Sequence, residues 1–459
     1  MKRMIARILA VFAILFVLCT EANAAAAKID VKEWTFMIFM NADNNLDQNA
    51  VKDLKEMRAI GENSDFANVI VMVDRDNAPA VTYKIVDNKQ EVLKKHGEVD
   101  MGDYKVYASF VKDTIKKYPA KHYCSILWNH GTGWKAIKSA NGMVKGISYD
   151  EQSGNHMSIA ELGFALKDIK KALGGNKLDL LCFDACLMQM AEVAYTVRDG
   201  ADYIVGSEEV EPGEGYPYKE IFSKLEKGMK PDEMARLISR AYAESYDDGC
   251  AGYESSTHSV LVSNAYENFK DCLNGYCKMM MSSDYSSQID KVLAEVTKFG
   301  YPENIDLKHF VALSKAKIKN GGIQNSADKL INSIEKMINA NNVSGYGTNY
   351  AYGLAVYFPQ KSYKFEKEYR QLPFAKNTMW ASMIQEYYKK SVIKPILDEV
   401  AKGKTTKLKE YIEKANANNV DLSLELTTKL NFLCFTEKKC DEKTANRVKQ
   451  LLGQLKNKL

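Results

Sequence analysis

Residues 178–186 read Leu-Asp-Leu-Leu-Cys-Phe-Asp-Ala-Cys, and a helical pattern follows from about Leu187 to Arg198. A short, mostly apolar run that stops on an acid and a thiol reads as a buried strand with chemistry at its end. Four further runs have the same character: Trp34–Met40 (WTFMIFM), Asn68–Asp74 (NVIVMVD), Tyr123–Trp128 (YCSILW) and Tyr203–Ser207 (YIVGS). Helical patterns separate them, from Leu46 to about Ile60, from Tyr104 to Lys117, and from a capping box at Ser158-Ile159-Ala160-Glu161 to about Leu173. Strands without polar alternation, interleaved with helices, predict an α/β fold with a mainly parallel sheet covered on both faces. Residues 81–97 read as an antiparallel excursion. The second half is less regular, with strands at Ser259–Ser263 and Gly353–Phe358 among helices near 266–282, 285–298, 324–340 and 377–390.

The chain has 459 residues, 46% hydrophobic and 27% charged, with nine Pro, which excludes disordered, collagenous and disulfide-scaffold proteins. A formal net charge of +4 gives no reason to expect a nucleic-acid partner. Lys2, Arg3 and Arg7 precede the apolar run Ile8–Cys19, and Ala22-Asn23-Ala24 is an A-x-A cleavage site, so residues 1–24 read as a signal peptide. That run is too short to span a bilayer, which takes ~20 residues, so no stable membrane insertion is expected. A lipid anchor on Cys19 is the competing reading, opposed by the bulk of Leu18 before it. The mature protein is expected to be exported and soluble, periplasmic or extracellular. Residues 25–390 read as the main domain, with a C-terminal subregion from about 255. Residues 391–459, with 14 Lys/Arg against 9 Asp/Glu, read as a helical appendage whose charge a solvated face explains better than a docking role.

Eight cysteines follow the signal segment, without a CxxC pair or a zinc-type His/Cys cluster. Cys434 and Cys440 could pair in an oxidising compartment. Cys124 and Cys182 lie inside apolar strands and read as core. Cys186 and His130 are different, because each follows the carboxyl end of a strand, where open parallel sheets build their sites. They lie 56 residues apart, near the about 50 between His and Cys in caspases. A thiol at a helix start beside an imidazole is expected to ionise readily, and the imidazole can serve as general base and then acid. Gly131 lets its N–H approach a substrate carbonyl, and with the N–H of Cys186 it could form an oxyanion hole. The other histidines, His96, His122, His156, His258 and His309, have no comparable setting.

Asn129-His130-Gly131-Thr132-Gly133-Trp134, followed by Phe183-Asp184-Ala185-Cys186-Leu187-Met188, resembles the clostripain-like cysteine peptidases, relatives of caspases, legumain, gingipains and separase. The likeness extends to WTFMIFMNADNNLD, ISYDEQSGNHMSIAELGFAL and GLAVYFP, so it covers roughly residues 33–390. It implies a caspase-like α/β/α sandwich and an endopeptidase cutting protein or peptide substrates after Arg or Lys, with His130 and Cys186 as the dyad. A pocket for a cationic side chain needs carboxylates. Asp184 matches the position that the family uses for one. A second is expected from the loop 207–214, Glu214 first because Gly213 and Gly215 suit a pocket-lining turn, then Glu208. The resemblance also implies a latent precursor that cuts itself between the dyad members, here after Lys145 in a polar loop, with Lys138 as runner-up. No cofactor is required for the chemistry. Calcium, which some members need as a structural activator, could use Asp43 and Asp47 beside Asn44 and Asn45, although the spacing is not that of an EF-hand and a turn with a helix cap explains the same residues. The alternative function is a catalytically silent caspase-like module that binds through its basic helical tail.

Overall fold

All residues from Trp34 to Ala42 are buried in strand β1 (Lys32–Ala42), so both of its faces must be covered. Trp34, Phe36, Ile38 and Met40 enter one apolar core, while Met37 and Phe39 enter another on the opposite face. The computed structural model describes residues 30–456 apart from 140–141, 249–251, 253–254, 346, 361–364 and 417–422. Residues 1–24, read as a signal peptide with cleavage expected at Ala24, and Cys19 within them lie outside the described residues.

Parallel partners flank β1: β2 (Ala67–Arg75) on one side and β5 (Ala120–Trp128) on the other. The hairpin β3 (Ala78–Val86) and β4 (Lys89–Gly97) continues the sheet antiparallel beyond β2, as the excursion near 81–97 predicts. Beyond β5 come the parallel strands β9 (Leu178–Asp184) and β10 (Ala201–Gly206). Antiparallel β11 (Ser256–Val262) and β13 (Ile338–Ser344) complete that edge. Among the described residues the sheet therefore has nine strands, in the order β13-β11-β10-β9-β5-β1-β2-β3-β4. The chain steps outward from β1 in both directions, so the carboxyl ends of β1 and β5 border a topological switch point.

Helices α1 (Asp47–Glu56) and α5 (Pro231–Ser245) cover one face with residues such as Leu54, Leu237 and Tyr242. On the other lie α2 (Tyr104–Lys117), α3 (Ile159–Ala172), α4 (Ala191–Val197) and α6 (Tyr266–Met281). The capping box forms as read: Ser158 Oγ accepts from the Glu161 N–H, and the Glu161 carboxylate accepts from the Ser158 N–H.

The structure departs from the sequence reading in four places. The polar loop read around Lys145-Gly146 is part of an antiparallel hairpin of β6 (Gly131–Ser139) and β7 (Gly142–Asp150), extended by β8 (Asn155–Met157). Helix α4 begins at Ala191 rather than Leu187, because Leu187 has φ +62°, which a right-handed helix cannot contain. The helix read as running to 340 stops at Met337, where β13 begins. Near the C-terminus, Trp380–Tyr388 runs through a π-turn into Lys394–Val400, so the boundary read at 390 falls inside a helical run. Ile393, Ile396, Val400, Leu408 and Ile412 share the core of the main domain. A disulfide joins Cys434 to Cys440, while Cys124 and Cys182 are buried free thiols.

Candidate active site

Asn129-His130 follows β5 directly, and Ala185-Cys186 follows β9. The two strands are in register to their ends, where Trp128 pairs with Asp184 and the Asn129 N–H donates to the Asp184 carbonyl at 3.2 Å. His130 and Cys186 thus emerge side by side and line one small cavity with Trp128, Asp184, Glu211 and Pro212. The cavity holds about 80 Å³, far below the roughly 300 Å³ of the smaller ligand sites. In this conformation the site is narrow.

What narrows it is the loop after β10. The Glu211 N–H donates to Cys186 Sγ at 3.2 Å, and the sulfur lies 3.8 Å from the Glu211 carbonyl. The turn that carries Cys186 is tied to the same loop, since Leu187 N–H donates to Glu209 O at 3.1 Å and Gln189 N–H to Ser207 O at 2.9 Å. The left-handed backbone of Leu187 stores strain in this turn. A Cβ on Gly131 would collide with the Cys186 carbonyl, so only glycine lets β6 pass this close.

The electrostatics differ from the sequence expectation. Cys186 is not at a helix N-terminus, and burial, followed by the charge of Glu211, pushes its thiol up to about 11. The N–H groups of Glu211, Cys186 and Gly131 work in the opposite direction. Burial lowers the His130 pKa, so the imidazole is neutral at pH 7. Its Nε2 lies 2.7 Å from Asn45 Oδ1, and no hydrogen bond joins His130 to Cys186 among the described residues.

Asp184 is fully buried at the cavity, where its carboxylate accepts from the Tyr218 hydroxyl at 2.8 Å and the Tyr216 N–H at 3.1 Å. Burial pushes it up to about 7 against those hydrogen bonds. Beside it the Glu211 carboxyl is also raised, by burial first and then by the charge of Asp184. Asp53, hydrogen-bonded to Trp128 Nε1 at 2.7 Å, is also raised, by burial and then by Asp184. The second acid at the cavity is thus Glu211. Glu214, favoured on its flanking glycines, points to the surface and pairs with Lys52. Glu208 is buried on the far side of the loop, where it accepts from the Gly353 N–H at 2.8 Å and faces Asp306. Neither lines the cavity.

Lys145, read as a loop residue, lies on β7 opposite Ala136, and the runner-up Lys138 lies on β6 opposite Met143. Asp47 is engaged by Arg75, at 2.7 and 2.9 Å, and is not available to a cation. Asp43 instead joins Glu98 and Asp150, with one oxygen from each within 4.8 Å of the others. Asp74 interacts electrostatically with all three, and its buried Oδ2 has no hydrogen-bond partner. The remaining histidines are occupied elsewhere: His258 hydrogen-bonds Tyr216, His122 pairs with Asp179, His96 with Thr82 and His309 with Thr297. His156 stacks on Tyr149.

A mainly parallel sheet between two helical layers, with His and Cys at neighbouring strand ends, places the protein among the caspase-like α/β folds. The chain belongs to the clostripain family, peptidase C11, which it matches over residues 38–400. It is 31% identical to clostripain of Hathewaya histolytica over 242 residues, 46% of this chain and 46% of that protein, so it aligns with about half the length of this curated relative. A secreted C11 cysteine protease from Bacteroides thetaiotaomicron, solved with an irreversible peptide inhibitor, superposes with a TM-score of 0.60 at 21% identity, covering 76% of this chain and 99% of that one. An inactive zymogen C11 protease from Parabacteroides distasonis gives 0.59 at 22%, with the same coverage. These two likenesses are of fold.

Proposed function

We propose that the protein is an exported cysteine endopeptidase that cuts after Lys or Arg and is made as a latent precursor. The observation that carries this reading is the convergence of His130, Cys186, Asp184 and Glu211 on one cavity at the sheet's carboxyl edge. His130 takes the thiol proton, and the Cys186 thiolate attacks the substrate carbonyl. The resulting oxyanion sits between the N–H groups of Gly131 and Cys186, a contact worth about 3 kcal/mol per donor in the transition state. His130 then protonates the leaving amine, and water releases the acyl group from Cys186. Asp184 and Glu211 receive the cationic side chain, whose charge favours their ionised forms.

The narrow cavity and the neutral thiol fit a precursor. Self-cleavage after Lys145, with Lys138 as runner-up, requires β7 to separate from β6, which would release the hairpin that follows His130 directly. Lys135, earlier on the same strand, is held by Glu303 and Glu366 and is a poor cleavage site. Calcium, if it activates, would be held by Asp43, Glu98 and Asp150, an all-oxygen set suited to a hard cation. Export accords with the disulfide Cys434–Cys440. No helix among the described residues is long and apolar enough to cross a membrane.

The test is hydrolysis of fluorogenic peptides ending in Arg, Lys, Asp or Leu by the wild type and Cys186→Ala, before and after nicking of the 131–150 hairpin. Turnover of Arg or Lys peptides alone, lost in Cys186→Ala, supports the reading. A folded, nicked wild type that turns over none of them points to the silent binding module.

A further inference from the structure

The loop after β1 reaches the same edge as His130 and Cys186. Asn44 pins that loop: its side chain donates to the Tyr149 carbonyl at 2.9 Å and accepts from the Leu46 N–H at 2.9 Å. Asn129 locks the base of the His130 segment, donating to the Asn41 carbonyl at 2.6 Å and accepting from the Tyr149 N–H at 2.7 Å. Two asparagine side chains thus fix the backbone on both sides of one further contact, Asn45 Oδ1 to His130 Nε2 at 2.7 Å. The Asn45 side chain is solvent-exposed.

We infer that Asn45 is a positioning residue for the His130 base: its side-chain carbonyl accepts the Nε2 proton and thereby reserves the Nδ1 lone pair for the thiol of Cys186. This rests on the dyad reading above. An amide oxygen presented to a ring nitrogen selects the tautomer in which that nitrogen carries hydrogen. In the reaction the Sγ proton passes to Nδ1, giving thiolate and imidazolium. The C–S bond forms as the carbonyl π pair moves to oxygen, and the Nδ1 proton leaves with the amine as the C–N bond breaks. Nε2–H remains on Asn45 throughout, so Asn45 exchanges no proton. A neutral acceptor suits this role, because it orients the ring without raising its basicity as a carboxylate would. The titratable groups around the imidazole are Tyr149, whose ring is edge-on to it, and Cys186, Asp184 and Glu211 across the cavity.

The experiment combines kinetics and spectroscopy on the full chain. In nicked enzyme, Asn45→Ala should lower kcat roughly 10- to 100-fold with little change in KM, short of the full loss of a general base, about 10²–10⁴-fold. Asn45→Asp should recover most of kcat while moving the acid limb of the pH profile upward, because a carboxylate at Nε2 favours imidazolium; a merely structural role moves neither. ¹⁵N-imidazole spectra of the precursor, which need no turnover, should show His130 as the Nε2–H tautomer in the wild type and a mixture in Asn45→Ala. Wild-type kcat in Asn45→Ala beside an inactive Cys186→Ala, or an Nδ1–H tautomer in the wild type, overturns this inference alone. Full activity in Cys186→Ala overturns the dyad and, with it, any role for Asn45.

Discussion

The backbone N–H of Glu211 donates to the sulfur of Cys186 at 3.2 Å, while the Glu211 carboxyl lies against Asp184. One residue therefore both covers the candidate nucleophile and completes the candidate specificity pocket. Its backbone and side chain must respond differently when a substrate enters, the first yielding the thiol and the second staying to meet the cation.

Coverage predicts a sluggish thiol in the precursor. With Cys186 pushed up to about 11, alkylation by iodoacetamide at pH 8 should run on the order of 100-fold slower than for a free cysteine of ordinary pKa near 8.5. Intact mass before and after nicking of the 131–150 hairpin reads this directly. Equal rates in both forms would contradict latency by coverage.

Charge recognition predicts that Asp184→Asn and Glu211→Gln each lower kcat/KM for Lys and Arg peptides roughly 10- to 100-fold, the worth of a charge-assisted hydrogen bond. Glu214→Gln and Glu208→Gln should leave the preference for a cationic side chain intact, since neither lines the cavity. Asp184 titrates at about 7 and must ionise to bind a cation, so KM for Lys peptides should fall as pH rises from 6 to 8. A flat KM would remove the acid pair from the pocket.

Much of this arrangement could be read in the sequence, and the part that could not has physical causes. The strands around Trp34–Ala42, Cys124–Trp128 and Leu178–Phe183 were legible because a strand buried on both faces has nowhere to place polar alternation. His130 and Cys186 were legible because their motifs sit at the ends of such strands. Glu211 was not: it reaches the cavity because the loop after β10 folds back onto the Cys186 turn through Leu187 and Gln189, contacts between residues about 20 apart. Glu214 attracted the reading through its neighbouring glycines, but Gly213 and Gly215 shape a turn that sends that side chain outward to Lys52. The left-handed Leu187 has no sequence signature, so the start of α4 was placed too early. The hairpin of β6 and β7 was missed because the lysines and glycines around Lys145-Gly146 made that stretch look like an open loop.

Buried acids predict a pH-dependent fold. Burial pushes Glu192 up to about 7, although it accepts from the Tyr357 N–H at 3.0 Å and the Tyr369 hydroxyl at 2.8 Å. Its pKa is raised on folding, so its contribution is full below the unfolded value near 4.5 and is lost as pH climbs through about 7. The loss is on the order of 3 kcal/mol for this shift. Denaturant midpoints should fall from pH 5 to pH 8, and Glu192→Gln should flatten that fall. An unchanged slope in the variant would assign the effect elsewhere.

Cation binding at Asp43, Glu98 and Asp150 predicts that calcium raises the melting temperature of the wild type and that EGTA reverses the gain. Asp150→Asn should abolish the shift, whereas Asp47→Asn should preserve it, because Asp47 serves Arg75. A shift lost with Asp47 but kept without Asp150 would move the site.

The central claim is that Cys186 attacks a carbonyl beside a cationic side chain, and a covalent probe tests it most directly. Nicked protein is treated with peptidyl acyloxymethyl ketones ending in Lys or in Asp, and the labelled site is located by peptide mass spectrometry. The account predicts stoichiometric label on Cys186 from the Lys probe, little from the Asp probe, and none in Cys186→Ala. Label on another residue, or equal labelling by both probes, would contradict it.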